Sequence, residues 1–263
     1  IAPVIKLKNT KSFMTNVSSA NARQAQKYNK QLREDIADKM IDLSAKTEGI
    51  TWYSEDHVGK LAIARHTKND TDLKKILSDI YTSDVKNAAN KLIRKSAIKV
   101  GITTAISQSD KIDTLFVVVY DLNLIKDIVY LYGYRPSDTQ MAKIYRTVLT
   151  NALMAYGVNN ATAGVGRVII SKTLSEFTSF IPIAGTVVES GIQGVVNSIL
   201  TTYIGYQTKK YLVKEYHLQE MLDNIDLIDS EEEQATMIES IKEEVKENLT
   251  KKAKHEKPAP SAV

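Results

Sequence analysis

From Ile112 to Tyr132 the chain runs about 21 residues without a glycine or a proline, and nearly every face of it is apolar. The Val117-Val118-Val119 triplet is β-branched and would suit a strand. Strands, however, usually end after about five or six residues, so an uninterrupted segment of this length reads as a buried helix stopped by Gly133. A second segment adds the same demand. Ser190 to Thr208 are nineteen consecutive uncharged residues. As a helix, at about 1.5 Å per residue, they could cross the ~30 Å hydrocarbon core of a bilayer. Only 11 Gly and 5 Pro punctuate the 263 residues, too few for the many tight turns of a sandwich or barrel. The expected fold class is therefore all-α: a multi-helix bundle with a hydrophobic helical core module and polar flanking helices.

Helical geometry divides the uncharged segment into two faces. At about 100° per residue, Ile192, Val195, Val196, Ile199, Tyr203 and Tyr206 share one arc. Gly191, Gly194, Ser198, Thr201, Thr202 and Gly205 share the opposite one, and small residues so placed let another helix approach closely. Gln193, Asn197, Gln207 and five serine and threonine hydroxyls would be costly against lipid. The two-faced wheel favours a packing helix of a bundle, with Gly191, Gly194 and Gly205 as helix-packing residues, over a membrane span.

Other helices announce their ends. Asn69 or Asp70 caps a run carrying Leu73, Ile76, Leu77 and Ile80. Ser137 with Gln140, and Ser230 with Glu233, have capping-box spacing. An earlier helix carries Tyr28, Leu32, Ile36, Met40 and Leu43, and a shorter piece is expected around Trp52 to His66. After Pro136 a helix carries Ile144, Val148, Leu149, Leu153 and Met154; the last one carries Met237, Ile238, Ile241, Val245 and Leu249. By composition the chain divides into a polar helical arm (1–90), a hydrophobic core module (91–216), an acidic amphipathic helix (217–250) and a disordered tail (251–263).

The net charge of +4 conceals a polarity. Lys6, Lys8, Lys11, Arg23, Lys27, Lys30 and Arg33 all precede the first acid, Glu34. They are either a solvated face or a surface for anionic lipid, where each cation near the headgroups contributes about 1 kcal/mol. Residues 220–247 hold eleven acids against Lys242 and Lys246. Basic residues do not gather with aromatics on one helix, so no nucleic-acid partner is expected. The chain opens on Ile1, and its first ten residues are too basic and too short for a signal peptide, which reads as a fragment lacking an upstream segment.

Chemistry is sparse. The absence of cysteine removes disulfides, thiol catalysis and Cys-ligated zinc. His57, His66, His217 and His255 lack zinc-site spacing, and the glycine pair of "AGVGR" (163–167) lacks the Lys-Ser/Thr of a phosphate loop. No cofactor or metal is expected, and no reaction can be read. Asp113, Asp121 and Asp127 lie in or beside the most apolar helix, where a buried carboxylate must be paired or hydrogen-bonded. For Asp113 the plainer alternative is a first-turn acid at a helix N-terminus, contributing about 0.3–1 kcal/mol. Arg146 and Asn151, on the following helix, are its candidate interior partners.

Four stretches between Lys91 and Tyr216 carry a resemblance to a known family. They are "KSAIKVGITTAISQSDKIDTLF" with Asp113, "NLIKDIVYLYG" with Gly133, "RTVLTNALMAYG" with Arg146 and Asn151, and "QGVVNSILTTYIG" with Gln193, Gly194, Leu200, Thr201 and Gly205. Together they resemble the YcjF-like domain-of-unknown-function family, a bacterial, inner-membrane-associated group. The proline that family often places before its aspartate is absent, and nothing here corresponds to its N-terminal transmembrane hairpin. The resemblance implies a non-enzymatic scaffold or regulator on the cytoplasmic side of the bacterial inner membrane, peripheral or anchored by a segment absent from this chain. It also implies a P-loop GTPase companion, and marks Asp113, Arg146 and Asn151 as partner-contact candidates. The alternatives are an insertable pore-former-like bundle, triggered when acid protonates carboxylates such as Asp113, and an enzyme of unrecognised type.

Overall fold

The computed structural model describes residues 22–46, 54–106, 110–134, 136–155, 186–215 and 227–255, together with Leu218 and Leu222. Among them the regular structure is helical, with no strand: α1 (Ala22–Lys46), α2 (Glu55–His66), α3 (Asp70–Asp79), a π-helical turn (Ile80–Val85), α4 (Lys86–Ile106), α5 (Asp110–Leu131), α6 (Asp138–Ala155), α7 (Thr186–Glu215) and α8 (Glu231–His255). The all-α expectation is met. The chain divides into two compact units, one of Ile1–Lys91, Lys126–Ile144 and Thr208–Asp229, the other of Leu92–Ile125, Tyr145–Gln207 and Ser230–Val263.

In the first unit the helix ends follow the capping logic of the sequence. Asn69 accepts from the Thr71 and Asp72 amides, and Gln140 Oε1 accepts from the Ser137 amide at 3.0 Å. α2 begins at Glu55 with Ser54 as its cap; Trp52 lies outside the described residues. α5 ends as expected at Gly133, whose φ of 87° is open to glycine. There the Tyr134 amide reaches back to Val129 O and the Gly133 amide to Tyr130 O, which satisfies two terminal carbonyls. α2 ends in the same motif, with the Asn69 amide on Ala64 O and the Lys68 amide on Arg65 O, but its left-handed position is a lysine, Lys68 at φ 55°. Two arginine forks tie α1 to its neighbours: Arg33 grips Asp70 (2.6 and 3.1 Å) and Arg65 grips Asp38 (2.7 and 3.0 Å). The apolar stripes of α1 and α3 place Leu32, Met40, Leu73, Leu77 and Ile80 in the interior.

The second unit answers the question posed by the uncharged segment. No helix among the described residues is long and apolar enough to cross a membrane. The large face of α7 instead packs Val195, Ile199 and Tyr203 with Ala97 of α4 and Ile238, Ile241 and Val245 of α8. The small face is buried as well: Gly191, Gly194, Ser198, Thr201, Thr202 and Gly205 all lie in the interior. A Cβ at Gly194 would strike the Gly101 carbonyl and lie 2.7 Å from Ala105 Cβ, so glycine here permits backbone-to-backbone approach. The expected stripe on α8 is thus realised, opened by the Ser230–Glu233 capping box. α8 continues to His255, beyond Thr250, where composition placed the start of a disordered tail. Near this end Lys251 pairs with Glu247 one turn back, at 2.6 Å, which supports the helix.

Candidate functional site

Among the described residues, each unit holds a buried polar centre. In the first, Lys209 near the end of α7 forms an ion pair with Asp229, and both side chains are almost fully withdrawn from solvent. Asn90 of α4 completes the centre: its Oδ1 accepts from Lys209 Nζ at 2.8 Å and its Nδ2 donates to Asp229 Oδ1 at 3.4 Å. Lys86, one helical turn earlier, brings a second ammonium to 3.7 Å from Asp229. The cluster joins α4, the end of α7 and the segment that precedes α8. Two buried tyrosines belong to the same unit. Tyr81, on the π-helical turn, donates its hydroxyl to Tyr132 O at 3.1 Å, and burial raises both phenols well above their ordinary acidity range.

A second feature of this unit is His57. Its Nδ1 lies 2.8 Å from Asp84 Oδ2, which also accepts from the Ser54 amide at 3.0 Å. Asp84 and Tyr81 both lie on the π-helical turn, the first reaching Ser54 and His57 at the start of α2 and the second buried. The pair orients the imidazole through a carboxylate.

The polar centre of the second unit is Asp121. It is 3% exposed on α5 and accepts from Thr201 Oγ1 of α7 at 2.9 Å. Burial pushes its carboxyl up to about 7, against the lowering effect of the Thr201 hydrogen bond. The neighbouring hydroxyls are spent locally, Ser198 on Val195 O and Thr202 on Ser198 O. Asp127, by contrast, is exposed; partial burial raises its carboxyl, and Lys126 lowers it.

The residues singled out from sequence distribute as follows. Asp113 falls in the first turn of α5, and its side chain lies outside the described residues. Arg146 and Asn151 lie on α6 and are both exposed. Among the described residues of α5 the buried carboxylate is that of Asp121, and its partner is Thr201. Of the basic run, Lys6, Lys8 and Lys11 lie outside the described residues, and Arg23, Lys27 and Lys30 are exposed or partly so. Arg33 is engaged by Asp70 with its side chain 11% exposed, so it does not stand ready for lipid. His66 is exposed, while His217 and the His255 side chain lie outside the described residues. Sequence reasoning missed the Lys209–Asp229–Asn90 centre. Its one visible sign was a lysine directly abutting the uncharged segment, a place where burial follows readily.

These elements coincide with a recognised stretch of sequence. A family model described as a domain of unknown function, DUF697, matches residues 68–228. The chain belongs to that family. The match begins earlier than Lys91, so the DUF697 region takes in α3, the π-helical turn and the start of α4 as well as the hydrophobic helices. Among curated proteins, a UPF0283 membrane protein of Bradyrhizobium diazoefficiens is 27% identical over 154 residues, covering 57% of this chain and 39% of the relative. A UPF0283 membrane protein of Rhodopseudomonas palustris is 26% identical over 150 residues, with coverage of 56% and 38%. One of Glaesserella parasuis is 25% identical over 143 residues, with coverage of 54% and 38%. The aligned part of this DUF697 chain thus spans less than half the length of these relatives. No solved structure matches it.

Proposed function

We propose that this DUF697 chain is a non-enzymatic helical module of a membrane-associated bacterial protein, a scaffold or regulator of the YcjF-like kind. It works at the cytoplasmic side of the inner membrane, peripherally or through a segment outside this sequence. The observation that carries the reading is the likeness to proteins named membrane proteins, found over more than half of this chain. The geometry supports it, because the buried polar groups, Lys209 with Asn90 and Asp121 with Thr201, join helix to helix. Arg146 and Asn151, exposed on α6, suit a docking protein, which we take to be a P-loop GTPase. Lys6, Lys8, Lys11, Arg23, Lys27 and Lys30 form the lipid-facing surface.

The test is flotation of the full chain with anionic vesicles. Binding is expected at low salt, should weaken steeply towards physiological ionic strength, and should disappear when residues 1–33 are deleted. Binding indifferent to both changes would remove the basic surface from the proposal. A second reading, an insertable pore-former-like bundle, draws on Val118 and Val119 of α5 and Leu153 and Met154 of α6, which are exposed apolar side chains.

A further inference from the structure

We propose that the Asp121–Thr201 contact is a proton-operated fastener: α5 and α7 are packed tightly while the Asp121 carboxyl is neutral, and loss of its proton loosens them. The inference is independent of the membrane reading. It stands first on geometry. Asp121 is buried in the second unit, and its contact is a neutral hydroxyl from the facing helix. A threonine hydroxyl can accept from a carboxylic acid as well as donate to a carboxylate, so the contact is compatible with both protonation states. Only the charged state needs water or a cation, and a single hydroxyl does not offset the removal of a carboxylate from water.

Among the described residues, the charged groups of the surrounding elements are occupied elsewhere or exposed. On α4, Lys99 Nζ sits 4.8 Å from the Tyr120 ring centroid, Arg94 binds Ser240 and Glu244, and Lys95 is exposed. Arg146 on α6 is exposed; on α8, Lys242 pairs with Glu239 and Lys246 with Glu243. On α7 the residues flanking Thr201 are uncharged, and the nearby Tyr203 phenol is raised by burial. The acidity of Asp121 is set by burial, with Thr201 as the opposing influence.

The sign follows from linkage. The folded-state value lies above that of an unfolded carboxylate, so the contribution of Asp121 is fully present below the unfolded value of about 4. It is lost as pH rises towards about 7. Acid fastens the helices, and neutral to alkaline pH releases them.

The experiment measures denaturant unfolding of the full chain from about pH 4.5 to about 8 for wild type, Asp121→Asn and Thr201→Val. Relative to Asp121→Asn, wild type should lose up to about tenfold in its folded-to-unfolded ratio per pH unit, levelling off above about pH 7. Thr201→Val removes the group that favours the charged form, so its fall should continue to higher pH. Parallel profiles for wild type and Asp121→Asn, or a shift of Thr201→Val to lower pH, would overturn the proposal. If a variant fails to fold, infrared spectra of the wild-type chain decide alone. A protonated-carboxyl carbonyl band that persists to about pH 6 and disappears around 7 supports the fastener, and its absence at that pH overturns it.

Discussion

Lys209 and Asp229 form an ion pair whose side chains are only 1% and 2% exposed, and Asn90 bridges the two with both ends of its amide. Two charges withdrawn so completely are held by each other rather than by water. The pair is therefore worth less as a source of net stability than as a condition that must not be half removed.

Lys209→Met should accordingly cost about 3–5 kcal/mol, because the buried Asp229 would lose the ammonium that pairs with it most closely, with Lys86 Nζ lying farther off at 3.7 Å. Adding Asp229→Leu should recover most of that loss, since Lys86 is partly exposed and can turn to solvent. Urea unfolding of the single and double variants checks this. A double variant as weak as the single one would mean that the pair itself supplies the stability.

Two glycines should respond with opposite signs. At Gly194 an added methyl meets a backbone carbonyl, which cannot swing aside. Gly194→Ala should destabilise by about 1–3 kcal/mol even after the gain in helix propensity. At Gly59 on α2 nothing lies within 4 Å of the added carbon. Gly59→Ala should stabilise by about 0.5–1 kcal/mol. Thermal melts of the two variants should move apart, and equal shifts would contradict the close approach of α4 and α7.

Lys68 and Gly133 occupy the same position in the same helix-ending motif, but only one of them is glycine. Lys68→Gly relieves the left-handed conformation of a side-chain-bearing residue, and should add about 0.5–1 kcal/mol after the entropy of an extra glycine in the unfolded chain is subtracted. Gly133→Ala should lose a similar amount or more. Chemical unfolding measures both, and a destabilised Lys68→Gly would show that the lysine side chain contributes more than its backbone costs.

Dye-loaded anionic vesicles separate the two readings of the hydrophobic helices. An acid-triggered insertion requires protonation to undo the packed state. For Asp121 the sign is the reverse, because its proton favours the folded unit. Neither wild type nor Asp113→Asn should release dye between about pH 5 and 7.5. Release on acidification, moved to higher pH in Asp113→Asn, would favour the pore-former over the scaffold.

The parts of this architecture that depend on near neighbours were legible in the sequence. The caps at Asn69, Ser137 and Ser230 each need a partner within three residues, and the stripe of α8 needs only its own period. The two faces of α7 were equally plain, because small and large residues separate by angle. What the sequence concealed depends on distant pairing. Asp113, Asp121 and Asp127 sit on one helix, and nothing local says which of them will face Thr201, 80 residues beyond Asp121. Asp229 stood among the many acids of the 220–247 stretch, and its burial follows from Lys209 and Asn90 arriving from two other helices. The interleaving of two units, in which Lys126–Ile144 and Thr208–Asp229 join the N-terminal part of the chain, depends on contacts between distant segments that composition does not record.

The π-helical turn from Ile80 to Val85 gives the chain a place where length and phase can be traded. A π turn closes its hydrogen bonds one residue later than an α turn, so this segment carries roughly one residue more than an α-helical path would need. Deleting one residue elsewhere in α3 would rotate everything downstream by about 100° and carry its apolar stripe out of the interior. Deleting one within the turn could be taken up by relaxation to the ordinary α pitch, leaving Leu77 on one side and Ala88 and Ala89 on the other in their buried settings. Asp84 would then lose its aim at His57, and Tyr81 its reach to the Tyr132 carbonyl. The surplus residue thus sets where the turn's side chains point, at the expense of a regular helix.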